Sequence, residues 1–312
     1  MMFPVDAVIT WVDGNDPVLN RKRCLYGNTT YFERDDLAGS TRYANCGEIE
    51  WCVASINKYA PFIRKIYIIT DGQDPHLTSR IPVEVVDHSV VFKGFEDFLP
   101  VFNALSIETF FWQIPGMSEH FVYFNDDMML VNPVSVSDFF EEDGTPRCYG
   151  SVRSSLLTTL TRRIKRTKDG IKRCTFKGVM LNAAKIAGSK HIYIKVDHTP
   201  RGHRRSFYQD FFSKRPDYAV RNVKYRFRDA DQFLPDLLEY VAGYLDGTIR
   251  LTPVSKVLFY MMPKPKKDYV ARKMAKLEAG NYLFCCFNSL DAASEEDRAM
   301  VVDWIRARLG NQ

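Results

Sequence analysis

The sequence predicts an α/β fold, with a mainly parallel sheet and helices on its faces. Three observations predict it. Short β-rich runs alternate with helical spacings through the first half. Those runs end in turn formers and acids, and no internal repeat or low-complexity tract breaks the rhythm. Such βαβ alternation is what a parallel sheet needs for its crossovers.

Residues 5–12 form the first β-rich run, closed by the turn formers Asp13, Gly14, Asn15, Asp16 and Pro17. Residues 47–59 carry Ile49, Cys52, Val53 and Ile56 at helical spacing, and Pro61 stops them. Residues 65–70 are a second strand ending in Asp71-Gly72, and 83–87 are a third. A helix is predicted over 103–113, ahead of Pro115-Gly116, and a fourth strand over 120–124, ending in Asn125-Asp126-Asp127. Farther on, 162–170 predicts a mobile basic loop, 231–244 a helix, 263–267 an exposed loop and 295–309 a last helix.

Composition narrows the function classes. The 312 residues are 46% hydrophobic and 26% charged, which excludes a disordered or fibrous chain. No apolar run nears the roughly 20 residues of a spanning helix. The N-terminus has no charged n-region and does not read as a signal peptide. Seven cysteines without a CxxC pair argue against structural zinc and for a reducing, cytoplasmic compartment. Cys285-Cys286 reads as two small hydrophobes in a strand.

The net charge of +5 hides a split. Residues 1–150 hold 11 basic and 22 acidic side chains, whereas 151–312 hold 32 and 16. We therefore expect an acidic α/β core over 1–150 and a basic region over 151–312, packed together as one unit. The basic–aromatic stretch 201–228 lacks any nucleic-acid-binding motif, and the acidic half would repel a polyanion, so no nucleic acid is expected.

Acids gather where strands end, the edge at which open parallel sheets bind ligands. Asp126 and Asp127 are candidates to hold Mg²⁺ or Mn²⁺ against a diphosphate, although Asp-Asp after a strand also suits a turn or a cap. Trp11, Asp13, Gly14 and Asp16 suit a nucleotide pocket, with a buried tryptophan and an ordinary turn as the alternative. His198 is a candidate acid or base and His203 competes with it. In a strand Asp197 is too close to share a face with His198, so it need not be its orienter. Arg226 and Arg228 share a face if 225–228 is extended, and either suits a phosphate clamp.

Taken together these blocks resemble the Stealth family of sugar-1-phosphate transferases. The resemblance runs through residues 6–17, 42–48, 55–61, 68–73, 99–108 and 123–128. It continues more sparsely through Asp197-His198-Thr199-Pro200, Arg228, Asp231-Gln232 and 284–289, where Ser289 stands in place of the family's usual aspartate. The resemblance implies a GT-A or Rossmann-like nucleotide-sugar core, completed by the basic C-terminal portion. It implies a UDP-sugar donor, a divalent metal, an oligo- or polysaccharide acceptor and release of UMP. An acceptor grown on a membrane lipid would suit a protein at the inner face of a bacterial membrane. The basic patches 162–173 and 263–273 are candidates for contact with anionic lipid there. By that resemblance Asp126 and Asp127 hold the metal, and Arg228, with Arg42 assisting, stabilises the transferred phosphoryl group. His198 moves the proton. Asn103, Asn125 and Asn288 orient phosphate or sugar hydroxyls, the 11–16 turn holds the uridine end, and Asn45 and Glu48 belong to the same donor site. Two other classes fit the residues: a glycosyltransferase that releases UDP, and a saccharide-binding protein without catalysis.

Overall fold

In the computed structural model the described residues are 3–27, 46–166, 174–264 and 266–310. Arg42, Asn45 and residues 167–173 of the expected basic patch lie outside them. The first half runs β1 (Val5–Thr10), α1 (Pro17–Tyr26), α2 (Glu48–Tyr59), β2 (Ile63–Thr70), β3 (Val83–Asp87), α3 (His88–Val91), α4 (Ala104–Glu108), β4 (His120–Asn125) and β5 (Met128–Leu130). The second runs β6 (Cys148–Ser154), α5 (Ser155–Arg166), α6 (Phe176–Ile186), β7 (Ile192–Val196), β8 (Arg201–Arg204), α7 (Arg205–Lys214), α8 (Pro216–Val223), α9 (Leu238–Asp246), β9 (Leu251–Thr252), β10 (Leu258–Met261), α10 (Tyr269–Ala279), β11 (Phe284–Phe287) and α11 (Glu295–Leu309).

The central sheet has the order β3-β2-β1-β4-β8. Its first four strands are parallel, and β8 joins β4 antiparallel. Both faces are covered, which is why the strands read as continuous apolar runs. Val8, Tyr67, Ile69, Phe121 and Tyr123 point into one core cluster, and Ala7, Ile9, Ile66, Ile68, Val122 and Phe124 into the other. Strand order reverses between β1 and β4, so the carboxyl ends of these two strands frame a crevice. Thr10 pairs in register with Asn125 there, placing Trp11 beside Asp126 and Asp127.

Two later segments are drawn to that crevice. Strand β8 pairs Arg201 with Tyr123 and His203 with Phe121, which delivers the 197–200 turn. Strand β11 lies between β10 and β5, with Cys286 opposite Met128, which delivers residues 286–289. Cys285 and Cys286 are both fully buried, as their apolar strand context suggests. At Gly202 a Cβ would stand 2.6 Å from the Phe139 carbonyl oxygen and 3.0 Å from the Phe140 ring. Gly202→Ala is therefore expected to cost about 1–3 kcal/mol by overpacking, read as a lowered midpoint in denaturant unfolding.

The structure differs from the sequence expectation in four segments. The helix over 103–113 stops at Glu108, and Phe111–Gln113 continue as a 3₁₀ turn. The break lets Phe110 pack on Phe92 and Phe95 while Phe111 packs on Phe121, Tyr123 and Tyr208. The helix expected from 231 begins only at Leu238, after a 3₁₀ turn at Pro235–Leu237. The Asn182 amide takes the Ala230 and Gln232 carbonyls that a helix would have used, and Pro235 disfavours helix at Leu234. Residues 162–166, expected as loop, continue α5. Residues 225–228 are bent rather than extended. Arg226 donates to the Phe98 and Pro100 carbonyls and lies 4.5 Å over the Tyr26 ring, whereas Arg228 lines the cleft.

Candidate active site

At the carboxyl ends of β1 and β4 lies a cleft of about 490 Å³. Of the expected site residues, Trp11, Glu48, Asn103, Asn125, Asp126, Asp127, His198, Arg228 and Asn288 line it. Asp13, Gly14 and Asp16 do not. The Asp13 amide and carbonyl both bond the Gln73 side chain, and Asp16 accepts from Val18 N at 2.7 Å, capping α1. Its carboxylate also takes the Gln73 amide at 2.9 Å, which holds its pKa below the usual carboxylate range. The turn thus serves its own helix, the structural alternative that the sequence left open. Trp11 is only 7% exposed and packs chiefly as core.

Glu48, Asp126, Asp127 and Asp291 are among the acids that line the cleft. Asp127 Oδ2 accepts from the Cys286 thiol at 3.3 Å and from the Asn288 amide at 3.1 Å. Its buried Oδ1 has no hydrogen bond among the described residues. Burial, with Asp127 and Glu48 as negative neighbours, pushes Asp126 up to about 8. Burial also raises Glu48, with Asp127 and Asp291 adding to the effect. These acids are stable as a cluster of anions only when a cation or proton neutralises them. Asp127, His198 and Cys286 offer ligand atoms within 4.8 Å of one another. Asp126, expected as the second metal ligand, falls outside that group. A carboxylate, an imidazole and a sulfur suit a divalent transition metal better than Mg²⁺, while the neighbouring acids suit Mg²⁺ or Mn²⁺.

The cleft is lined as well by His198, Arg201 and Arg228. The His198 ring is stacked between Phe176 at 5.4 Å and Tyr260 at 5.6 Å. Burial lowers its pKa against the pull of Asp127. Asp197 does not orient it, because the Asp197 carboxylate is bound by Lys195 at 2.8 Å. His203 is enclosed by Phe111, Phe121 and Tyr240, bonds Tyr208 at 2.9 Å, and is absent from the cleft lining. Arg201 reaches Asp236 with its Nε at 2.6 Å, and its Nη1 donates to the Asp197 and Thr199 carbonyls. It therefore pins the turn that carries His198. Arg228 makes no hydrogen bond among the described residues and is available to an anion.

The asparagines are committed to the frame. Asn103 caps α4, donates to the Tyr225 and Arg226 carbonyls, and accepts from Gln232. It ties α4 to the segment that carries Arg228. Asn125 accepts from Tyr123 at 2.9 Å, and Asn288 steadies Asp127.

Sequence reasoning missed several lining residues. Asp291 lies two positions past the departure at Ser289, and Cys286, buried as expected, proves to donate its thiol to Asp127. His88 is buried with both ring nitrogens unpartnered among the described residues, and burial lowers it to about 4. Glu108 accepts from Tyr123 at 2.9 Å, leaves Oε2 unpartnered, and is pushed up to about 8 by burial and by Asp236. The residue ends the 99–108 motif, which was the only signal for it.

Between about 4.5 and about 8 the native state holds a proton on Glu108 that the unfolded chain has released. This group's contribution to stability therefore falls as pH rises through that window. Glu108→Gln is expected to remove the loss, so that denaturant unfolding shows the variant gaining on the parent as pH rises from about 5 to about 8.

Two family models match the chain: Stealth protein CR1, conserved region 1, over residues 3–31, and Stealth protein CR2, conserved region 2, over residues 42–148. An exopolysaccharide phosphotransferase of Streptomyces coelicolor is 32% identical over 301 residues, 95% of this chain and 49% of that protein. The chain belongs to the Stealth family. A capsular polysaccharide phosphotransferase of Streptococcus pneumoniae is 38% identical over 158 residues, 50% of the Stealth chain and 47% of its own. This Stealth chain thus spans about half the length of the curated relatives it matches. Among solved structures, apo mouse xyloside xylosyltransferase 1 aligns over 92% of this chain and 97% of its own, with a TM-score of 0.41 and 9% identity. At that level the likeness bears on neither fold nor function. The CR1 and CR2 matches contain the β1 and β4 edges of the cleft, while His198, Arg228 and Asn288 lie beyond both.

Proposed function

We propose that this chain transfers a hexose-1-phosphate or N-acetylhexosamine-1-phosphate from a UDP-sugar to a saccharide hydroxyl in capsule or exopolysaccharide synthesis. The observation that carries the reading is one cleft lined together by Glu48, Asp126, Asp127, His198 and Arg228. That arrangement suits a diphosphate and an attacking hydroxyl, since phosphoryl transfer needs charge neutralisation and positioning more than covalent help. The phosphotransferase names of the relatives from Streptomyces and Streptococcus support the same reaction class. The sheet order supports reading residues 1–150 as a GT-A or Rossmann-like nucleotide-sugar core that the basic region 151–312 completes.

In this reading Asp126 and Asp127 hold Mg²⁺ or Mn²⁺, which when bound neutralises charge on the donor diphosphate. His198 accepts the proton of the acceptor hydroxyl as its oxygen bonds the phosphorus that carries the sugar. The bond from that phosphorus to the bridging oxygen breaks, and UMP leaves. Arg228 stabilises the equatorial oxygens with paired donors. Phe176 and Tyr260 hold the imidazole plane, and Arg201 holds its turn.

The test is chromatography of the nucleotide released from a panel of UDP-sugars with a glycan acceptor pool and Mg²⁺ or Mn²⁺. Acceptor-dependent UMP with phosphorus in the glycan is the expected result. UDP in its place would assign the chain to the glycosyltransferases, and metal-dependent donor binding without turnover would leave it a saccharide-binding protein.

A further inference from the structure

We propose that α5 is a membrane-surface anchor that lays a leucine stripe into the headgroup region of a bilayer containing anionic lipid. The helix is amphipathic in the inverted sense. Leu156, Leu157 and Leu160 are 68%, 65% and 48% exposed. The half-buried positions of its first two turns are the polar Ser155 and Thr158, and the helix packs against β6 and β7. An ordinary surface helix turns its leucines inward. Positions 156, 157 and 160 recur at i, i+1 and i+4, one face of a helix. Val152, on the strand that leads into the helix, is a further exposed aliphatic at 36%.

The charge of the helix indicates the occupant. Its twelve residues include no acid, and four of its last five, Arg162, Arg163, Lys165 and Arg166, are basic. Leucines on one face of a short helix that is otherwise rich in arginine and lysine, with low overall hydrophobicity, are the composition of a helix that lies in a lipid interface. A second copy of this chain would bring two such cationic segments together and repel. The helix is too short to span a bilayer, and no helix among the described residues is long and apolar enough to do so. The proposal rests on the helix alone and stands apart from the reaction assigned to the cleft.

Flotation of the whole chain with vesicles tests it, using phosphatidylcholine alone and phosphatidylcholine mixed with phosphatidylglycerol, at low ionic strength. The expected result is binding to the phosphatidylglycerol vesicles and little to phosphatidylcholine. Leu156→Ser with Leu160→Ser should weaken binding about tenfold or more while the basic run stays intact. Arg162→Gln with Arg163→Gln should weaken it about fivefold per charge, and added salt should do the same. Because the leucines are exposed, the serine variant should keep the parent's thermal midpoint by circular dichroism. Wild-type protein that ignores anionic vesicles, or a serine variant that binds as well as the parent, would overturn the proposal. Lipid-free dimers that Leu156→Ser converts to monomers would assign the stripe to a second copy and overturn it equally.

Discussion

Alanine at His198 is expected to lower turnover by about 10²–10⁴-fold, the usual worth of a positioned acid or base. Phe176 and Tyr260 both stack on the ring, and burial disfavours its protonated form. It faces the cleft that Arg228 and the acids share, and the neighbouring Asp197 is occupied by Lys195. Three readouts separate its roles. A fall in kcat with donor affinity and metal affinity retained marks proton transfer. A parallel loss of metal affinity, measured by calorimetry with Mn²⁺, would make His198 a metal ligand beside Asp127 and Cys286, whose ligand atoms lie within 4.8 Å. Turnover near that of the parent would remove His198 from the chemistry. His203→Gln is the control, because that ring is enclosed in the aromatic core and does not reach the cleft.

Alanine at Arg201 is expected to destabilise the fold by about 3–5 kcal/mol, because removing one partner leaves a buried charge uncompensated. Arg201 is 5% exposed and its partner Asp236 fully buried. Asp236 Oδ1 already lacks a hydrogen bond among the described residues. Denaturant unfolding reads the loss. Replacing both partners, Arg201→Met with Asp236→Leu, should recover most of the stability, since a buried ion pair often exchanges for apolar side chains at little cost. Activity should stay low in the double variant. The carbonyls of Asp197 and Thr199 lose their donor in both cases, so the turn that carries His198 is no longer pinned. A double variant with full activity would show that Arg201 serves stability alone.

The strand framework was legible in the sequence because β1, β2 and β4 are buried on both faces and read as unbroken apolar runs. The helix α2 was legible from the Ile49, Cys52, Val53 and Ile56 spacing. The interruption of α4 was not, since it comes from where Phe110 and Phe111 find partners rather than from any local breaker. The late start of α9 has the same kind of cause, with side chains of Asn182 and Asn222 taking the main-chain groups of 230–233. Arg226 and Arg228 read alike as free cations. Only the bend at 225–228 separates a structural arginine on backbone carbonyls from one that lines the cleft.

The sequence by itself determined the α/β class, the acids at the strand ends and the family, because these depend on local pattern and on motifs contiguous in the chain. Tertiary structure alone decided which residues meet. Strand pairing of β8 with β4 and of β11 with β5 brings His198, Arg201, Cys286 and Asn288 to Asp126 and Asp127 across 70 or more positions of chain. It also left Asp16 capping α1 and Asp13 tied to Gln73, and it buried Glu108 and His88, whose pKa shifts follow chiefly from desolvation that no local window contains. Periodicity and propensity act over one or two turns of chain. Desolvation and charge pairing act through space, so they take effect only once the sheet has closed.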